Sequence, residues 1–168
     1  MAVDRDRDAT GRARNARARD ELGRPLPRGT EGVEPPPEDL ALPPLESLAE
    51  AQRLLDSGRA FQAHEVLEGT WKAAPSAERD LWRGLAQFAV GITHAQRGNT
   101  VGAARLLRRA ADRISPWRSD PPYCIDVDGL ISWALATADR IDAGDRLPAS
   151  PPRLALSTQE ASTDPRTE

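Results

Sequence analysis

Apolar residues between about positions 45 and 145 recur at the three- and four-residue spacing of amphipathic helices. No stretch alternates apolar and polar residues as a half-buried strand does, and no paired turn residues indicate a hairpin. Glycine, proline and capping residues divide this region into five segments, so the pattern predicts an all-α fold of five helices. The predicted helices span about 45–56, 59–74, 76–98, 99–115 and 126–144.

Residues that favour helix ends mark these boundaries. Gly58, Gly98 and Gly144 follow the first, third and fifth helices, where a left-handed residue commonly closes a helix. Serine, asparagine, threonine and aspartate accept hydrogen bonds from the free N–H groups at helix starts. The predicted N-caps of the last three helices are Ser76, Asn99 or Thr100, and Asp126.

A weak internal repeat at an offset of 40 residues relates the start of the second helix to that of the fourth. In each copy a helix end, a glycine turn and a helix start follow one another, with Ala63 and Ala103 at matching positions. Small residues there let two helices approach closely, as in the helical hairpins of tetratricopeptide repeats. Two copies predict a compact array of such hairpins rather than an extended solenoid.

The third helix is the most apolar and is predicted to be the central one. Its apolar face consists of Leu81, Leu85, Phe88, Ile92 and Ala95. Gly84 and Gly91 lie beside this face and permit close packing of a neighbouring helix. The same helix carries a polar stripe of Arg83, Gln87 and His94, and polar groups on a largely buried helix need partners.

The second helix offers such partners. Residues 64–68 place the imidazole of His64 and the carboxylate of Glu68 one turn apart on one edge. The chain has 2 histidines, and both fall on inward-facing helix positions. We therefore predict a polar site between the second and third helices. The predicted ligand-binding residues are His64, Glu65, Glu68, Trp71, Gln87 and His94.

Three interpretations of this cluster stay open. In the first, His64, Glu68 and His94 bind zinc or iron, and Glu65 is the general base of a metal-dependent, hydrolase-like enzyme. In the second, the polar groups bond to one another and specify the core. In the third, they line a pocket for a small ligand or a protein partner. Metal is the least favoured, because the segment reads H-E-x-x-E and lacks the second histidine of H-E-x-x-H.

The same residues carry the pattern of a known family. The pattern consists of Phe61, Ala63, His64, Glu65, Leu67, Glu68 and Trp71, then Gly84, Leu85, Gln87, Ala89, Val90, Gly91 and His94, then Arg97, Gly98, Asn99, Gly102 and Ala103. In this order, over roughly residues 50–115, it resembles the bacterial family named domain of unknown function 309. The resemblance implies a small all-α domain whose signature includes the histidine and glutamate positions. It implies no activity, so the three interpretations stay open.

Composition separates the helical region from its flanks. The region contains all the aromatic residues, both histidines and the single cysteine, Cys124, which we predict to be a buried, inert thiol. The flanks are rich in proline and charged or small polar residues, which bury too little apolar surface to offset the entropy lost on ordering. We therefore predict a disordered tail over 1–44, a helical domain over 45–145 and a second disordered tail over 146–168.

Charge and targeting signals narrow the function classes. With 23 basic and 26 acidic residues the net charge is −3, which disfavours a protein that coats nucleic acid. The N-terminus is charged where a signal peptide is apolar, and no apolar run is long enough for a membrane span. We therefore expect a cytoplasmic protein that binds a small ligand, a protein partner or a second copy of itself.

Overall fold

Five α-helices account for most of the residues that the computed structural model describes, which are 17–33 and 41–156. The helices are α1 Pro44–Asp56, α2 Ala60–Ala73, α3 Arg79–Gln96, α4 Thr100–Ile114 and α5 Val127–Asp142. Two short 3₁₀ turns, Ser115–Trp117 and Pro122–Cys124, connect α4 to α5. No β-strand occurs in the described ranges, so the predicted all-α, five-helix fold is confirmed.

Capping residues and glycines define most helix ends as expected. The side chains of Asn99 and Asp126 each accept a hydrogen bond, at 3.0 Å, from the backbone N–H three residues later. Both predicted N-caps are therefore confirmed. The three predicted glycine closures are also present, because the residues that follow α1, α3 and α5 have positive φ. These angles are 75° at Gly58, 80° at Gly98 and 90° at Gly144.

The start of α3 differs from the prediction. The helix begins at Arg79, so Ser76 is not its N-cap. A turn occupies residues 75–78 instead, closed by a 2.9 Å hydrogen bond from the Glu78 N–H to the Pro75 carbonyl oxygen. Ser76 lies inside this turn, three residues before the first residue of α3, so its side chain does not cap the helix.

Each helix packs chiefly against its neighbours in sequence, and α3 and α4 share the most extensive contact. A methyl group added at Gly84 would lie 2.5 Å from Ile114 Cγ2, and one at Gly91 would lie 3.0 Å from the Leu107 side chain. The partner numbers fall as the α3 numbers rise, so the two helices run antiparallel. The predicted close packing at both glycines is therefore confirmed.

The core is centred on α3, as its apolar face predicts. The side chains of Leu81, Trp82, Leu85 and Phe88 are at most 1% exposed. The indole N–H of Trp82 donates to the Glu78 carboxylate at 3.2 Å. Burial of several large side chains on one helix makes that helix the main source of apolar stabilisation.

Parts of both predicted tails contact the helical domain. Leu154 is 1% exposed, and its backbone N–H donates to Gln52 Oε1 on α1 at 2.8 Å. The Leu154 carbonyl oxygen accepts from the Asp126 N–H at 3.0 Å, so this segment is attached at both α1 and α5. Residues 17–33 lie on α2 and are described with the site. The rest of the two tails, residues 1–16, 34–40 and 157–168, lies outside the described residues.

Two further observations concern exposure and length. Cys124 is exposed, contrary to the predicted buried thiol, because it lies in a surface 3₁₀ turn rather than on a helix face. Within residues 17–33 and 41–156, no helix combines the length and apolar character needed to cross a bilayer.

Candidate functional site

His64 and Glu68 lie one turn apart on α2 and contact each other. His64 Nε2 is 3.5 Å from one carboxylate oxygen of Glu68, and Lys72 Nζ is 3.1 Å from the other. The side chains of His64 and Glu68 are 22% and 33% exposed, so both are largely but not fully covered. The second ring nitrogen of His64, Nδ1, is buried and has no hydrogen-bond partner among the described residues.

The aromatic ring of Phe61 lies next to this pair and contacts two guanidinium groups. The Phe61 and His64 rings have centroids 5.7 Å apart. The guanidinium carbons of Arg19 and Arg97 lie 5.4 and 5.6 Å from the Phe61 centroid, within the range of a cation–π interaction. Arg97 follows α3, whereas Arg19 comes from the N-terminal flank.

Residues 17–33 form an N-terminal strap over this edge of α2. Gly23 is buried, with a φ of 71°, and an added Cβ would collide with the Phe61 ring and the Arg97 guanidinium. Arg97 Nε donates to the Leu22 carbonyl oxygen at 2.6 Å. The strap is therefore attached by a backbone contact, by the close approach of Gly23 and by the stacked Arg19.

A turn inside the strap presents these groups. The Asp20 carboxylate accepts hydrogen bonds from the backbone N–H groups of Leu22 and Arg24 at 3.0 and 2.8 Å. Arg19 Nη1 donates to the Gly23 carbonyl oxygen at 2.6 Å. These bonds hold the Arg19 side chain and the Gly23 backbone in one fixed arrangement over Phe61.

Burial and nearby charges set the protonation states at the site. Burial lowers the pKa of His64, Glu68 opposes this effect, and the positive charges of Lys72, Arg19 and Arg97 add to it. The neutral imidazole is therefore favoured.

The pKa of the Glu65 carboxyl is shifted in the opposite direction to that of His64, upward. Burial raises the pKa of Glu65, the nearby Arg19 lowers it, and the neighbouring Glu68 carboxylate raises it further. Arg19 is thus the positive group that favours the ionised form of Glu65, which makes the charge state of Glu65 dependent on the strap.

Two predicted site residues have partners elsewhere. The Trp71 ring lies under the guanidinium of Arg83, with 5.4 Å from the guanidinium carbon to the ring centroid. Gln87 Oε1 accepts a hydrogen bond from Arg113 Nε at 3.1 Å, and Arg113 also forms an ion pair with Asp80 at 2.7 Å. Both residues therefore take part in contacts between helices that do not include His64.

His94 supports the start of α4. Its Nδ1 is 2.7 Å from Asn99 Nδ2, and the Asn99 oxygen caps the Gly102 N–H. The amide orientation makes Asn99 Nδ2 the donor, so His94 Nδ1 accepts and must be unprotonated. Burial lowers the pKa of His94, and Arg97 and Arg105 lower it further, which favours the same neutral form.

The three predicted metal ligands are not assembled. His64 and Glu68 contact each other, whereas His94 bonds to Asn99. In the part of the chain that the structure describes, no group of three or more histidine, cysteine, aspartate or glutamate side chains is arranged to hold a metal ion. The six predicted ligand-binding residues thus separate into the cluster His64, Glu65 and Glu68 and three residues with other partners.

Sequence reasoning missed the residues of the strap that reach this cluster. Arg19 and Gly23 lie in a segment whose composition predicts disorder. The available signal was local, because Asp20 followed by Gly23 is typical of a turn. Phe61 and Arg97 belong to the family pattern, but their positions in the sequence do not indicate that they contact the site.

Acidification is expected to destabilise the folded protein through His64. Its folded pKa lies below the unfolded value of 6.5, so its contribution is fully present above pH 6.5 and is lost as the pH falls through the folded pKa. The groups that face it are Glu68 and Lys72 on α2, Arg19 on the strap, and Arg97 after α3. A His64→Gln variant should lose less stability than wild type between pH 7.5 and 5, measured by urea denaturation.

The opposing effect of Glu65 is separated by a second variant. Its raised pKa gives a contribution that is present below pH 4.5 and is lost as the pH rises through the folded value. Glu65→Gln should therefore make the acid-induced loss of stability steeper, whereas His64→Gln makes it shallower. Equal pH dependence of wild type and His64→Gln would contradict the assignment to His64.

Comparison with known proteins gives a family match and a relative that is similar over part of its length. Residues 48–106 match the sequence model of a family described as Domain of unknown function (DUF309). The chain is also similar to the uncharacterized protein YpuF of Bacillus subtilis (strain 168), with 46% identity over 48 residues. That alignment covers 28% of this chain and 28% of YpuF, so the chain matches about a quarter of the length of that relative. No solved structure shows significant similarity.

The family match includes the whole candidate cluster. It extends from α1 through α2 and α3 into the first half of α4, and it contains both histidines, Glu65 and Glu68. The N-terminal strap lies outside it. The resemblance to the domain of unknown function 309 family is thereby confirmed over residues 48–106.

Proposed function

We propose that this domain binds a ligand or partner segment through the α2 face, formed by Phe61, His64, Glu65 and Glu68. The bound group is a positively charged nitrogen group, and a guanidinium fits best. The observation that supports this proposal is the position of Arg19, whose guanidinium stacks on Phe61 and acts electrostatically on His64 and Glu65.

The chemistry of the α2 face suits a guanidinium. The face of an aromatic ring attracts a cation, and a planar guanidinium stacks on it better than an ammonium does. The carboxylates of Glu65 and Glu68 lie four and seven residues after Phe61 on α2, so they supply negative charge on the same edge of this helix. His64 is kept neutral by its surroundings, so it adds no competing positive charge at neutral pH.

The test uses N-acetylarginine amide as the probe and the full chain with Arg19→Ala as the receptor. Removal of Arg19 frees one of the two guanidinium positions on the Phe61 ring, and Arg97 keeps the other. The probe should therefore bind saturably, detected by amide chemical-shift changes on α2. N-acetylcitrulline amide is the matched control, because it has the same shape without the charge. We expect it to bind about tenfold more weakly.

A matched receptor guards against non-specific binding. Arg109 is an exposed arginine on α4, and Arg109→Ala removes one positive charge while leaving the strap in place. This variant should bind the probe more weakly than Arg19→Ala. The proposal is wrong if Arg19→Ala binds neither compound, or if it binds the citrulline compound as tightly as the arginine compound.

A further inference from the structure

The N-terminal strap shows what kind of larger ligand the α2 face accommodates. We infer that the face binds a segment of a partner protein that presents an arginine followed, four residues later, by a glycine in a tight turn. The strap is the chain's own version of that segment, and it has to leave before the partner enters. This inference rests on the proposed function, because it specifies the ligand of the same face.

Three contacts of the strap each recognise a different property. The Phe61 ring recognises positive charge, here the guanidinium of Arg19 at 5.4 Å. The space around Gly23 excludes a side chain, because a Cβ would collide with Phe61 and Arg97. Arg97 Nε recognises the backbone by donating a hydrogen bond of 2.6 Å to a carbonyl oxygen, here that of Leu22. Together these contacts select an arginine turn rather than a free cation.

The strap is held weakly enough to be displaced. Gly23 is its only buried residue in the range 17–33. Segments that bury few apolar groups open locally at low cost in free energy, without unfolding the domain. Two positive groups, Arg19 and Arg97, also share one ring, and their mutual repulsion is relieved when the strap departs.

The occupant we infer is a partner protein rather than a second copy of this chain. Each copy carries its own strap, already seated on its own α2 face. An intramolecular segment has a high effective concentration, so exchange between two copies replaces identical contacts and gains nothing. A partner with additional contacts can compete, and its apparent affinity is reduced by the fraction of molecules in which the strap is seated.

The experiment uses a fluorescent peptide with the sequence of residues 17–33 and three full-length receptors. The receptors are wild type, Arg19→Ala and the matched control Arg109→Ala. Fluorescence anisotropy should show that Arg19→Ala binds the peptide at least about tenfold more tightly than the other two, because its own strap competes poorly. Equal affinity of wild type and Arg19→Ala for the peptide would overturn the inference that the strap competes for the α2 face.

Variants of the peptide test the recognition itself. A peptide with Arg19→Ala or Gly23→Ala should bind the Arg19→Ala receptor about tenfold more weakly than one with Arg17→Ala, whose arginine lies outside the stacked turn. Equal affinity of these peptides would overturn the inference. Far-UV circular dichroism and the urea midpoint of the Arg19→Ala receptor should match those of wild type, which checks that its helical domain is folded.

The small probe separates this inference from the function on which it rests. If the Arg19→Ala receptor binds N-acetylarginine amide but not the peptide, the inference fails and the proposed function stands. If it binds neither, both fail. If mixing the Arg19→Ala receptor with wild-type chain produces a dimer on size-exclusion chromatography, the occupant is a second copy and the partner inference is overturned.

Discussion

Replacement of Trp82 by alanine is expected to lower the free energy of unfolding by about 3–5 kcal/mol. The Trp82 side chain is 0% exposed in the first turn of α3, its indole N–H donates to Glu78, and its ring centroid lies 5.9 Å from that of Tyr123. Alanine leaves a cavity and removes one donor from the Glu78 carboxylate. Urea denaturation followed by circular dichroism at 222 nm measures the change, which is large because small domains are stable by only about 5–15 kcal/mol.

The matched control is an apolar residue on the neighbouring helix. Val101 on α4 is 76% exposed, so Val101→Ala should change stability by no more than about 0.5 kcal/mol. If Trp82→Ala lost less than about 1 kcal/mol, α3 would not be the helix on which the core depends. The control also verifies that truncating an apolar side chain is not destabilising in itself.

The helices and most of their ends were predictable because the signals are local. A cap such as Asn99 bonds to a backbone N–H three residues later, and a glycine such as Gly98 closes a helix within its own turn. The register of Gly84 and Gly91 on the apolar face of α3 follows from helical periodicity alone. The prediction of Ser76 as an N-cap is wrong because Pro75 and Glu78 form a competing turn, and local rules do not rank two local alternatives.

In the candidate site, too, the contacts within one helix were predictable and the contacts between helices were not. His64 and Glu68 are four residues apart on one helix, so their contact follows from the spacing. The partners of Trp71 and Gln87 are arginines on other helices, and the choice among many arginines depends on how the helices pack against each other. Which arginine contacts each residue depends on how far the helices are shifted along each other, and a single sequence does not reveal that shift.

The attachment of the strap and of the segment around Leu154 could not be predicted from composition, for a different reason. Average composition measures whether a segment can form its own core, and neither segment does. Both are instead held on the surface of the helical domain by a few specific hydrogen bonds. The Leu154 N–H donates to Gln52 Oε1, and Arg97 Nε donates to the Leu22 carbonyl oxygen. One buried residue in the strap, Gly23, and two in the other segment, Pro152 and Leu154, are enough for attachment and too few to alter a composition average.

Substitution of Gly23 by alanine is expected to detach the strap without unfolding the helical domain. The positive φ of 71° costs a side chain about 1 kcal/mol, and the collision of its Cβ with Phe61 and Arg97 adds about 1–3 kcal/mol. The bonds inside the strap, such as the Val33 N–H to the Arg19 carbonyl oxygen, should then open more often. Hydrogen exchange of these amides should accelerate by at least about tenfold, with an unchanged urea midpoint.

The matched control isolates the contact with Phe61 from the backbone cost. Gly29 lies in the same strap with a φ of 86°, and no atom lies within 4 Å of an added Cβ. Gly29→Ala therefore carries the backbone penalty alone and should accelerate exchange much less than Gly23→Ala. Equal acceleration by the two variants would show that the strap does not depend on its contact with Phe61. A larger effect of Gly23→Ala, confined to strap amides, would mean that the α2 face holds this segment by excluding a side chain at one position.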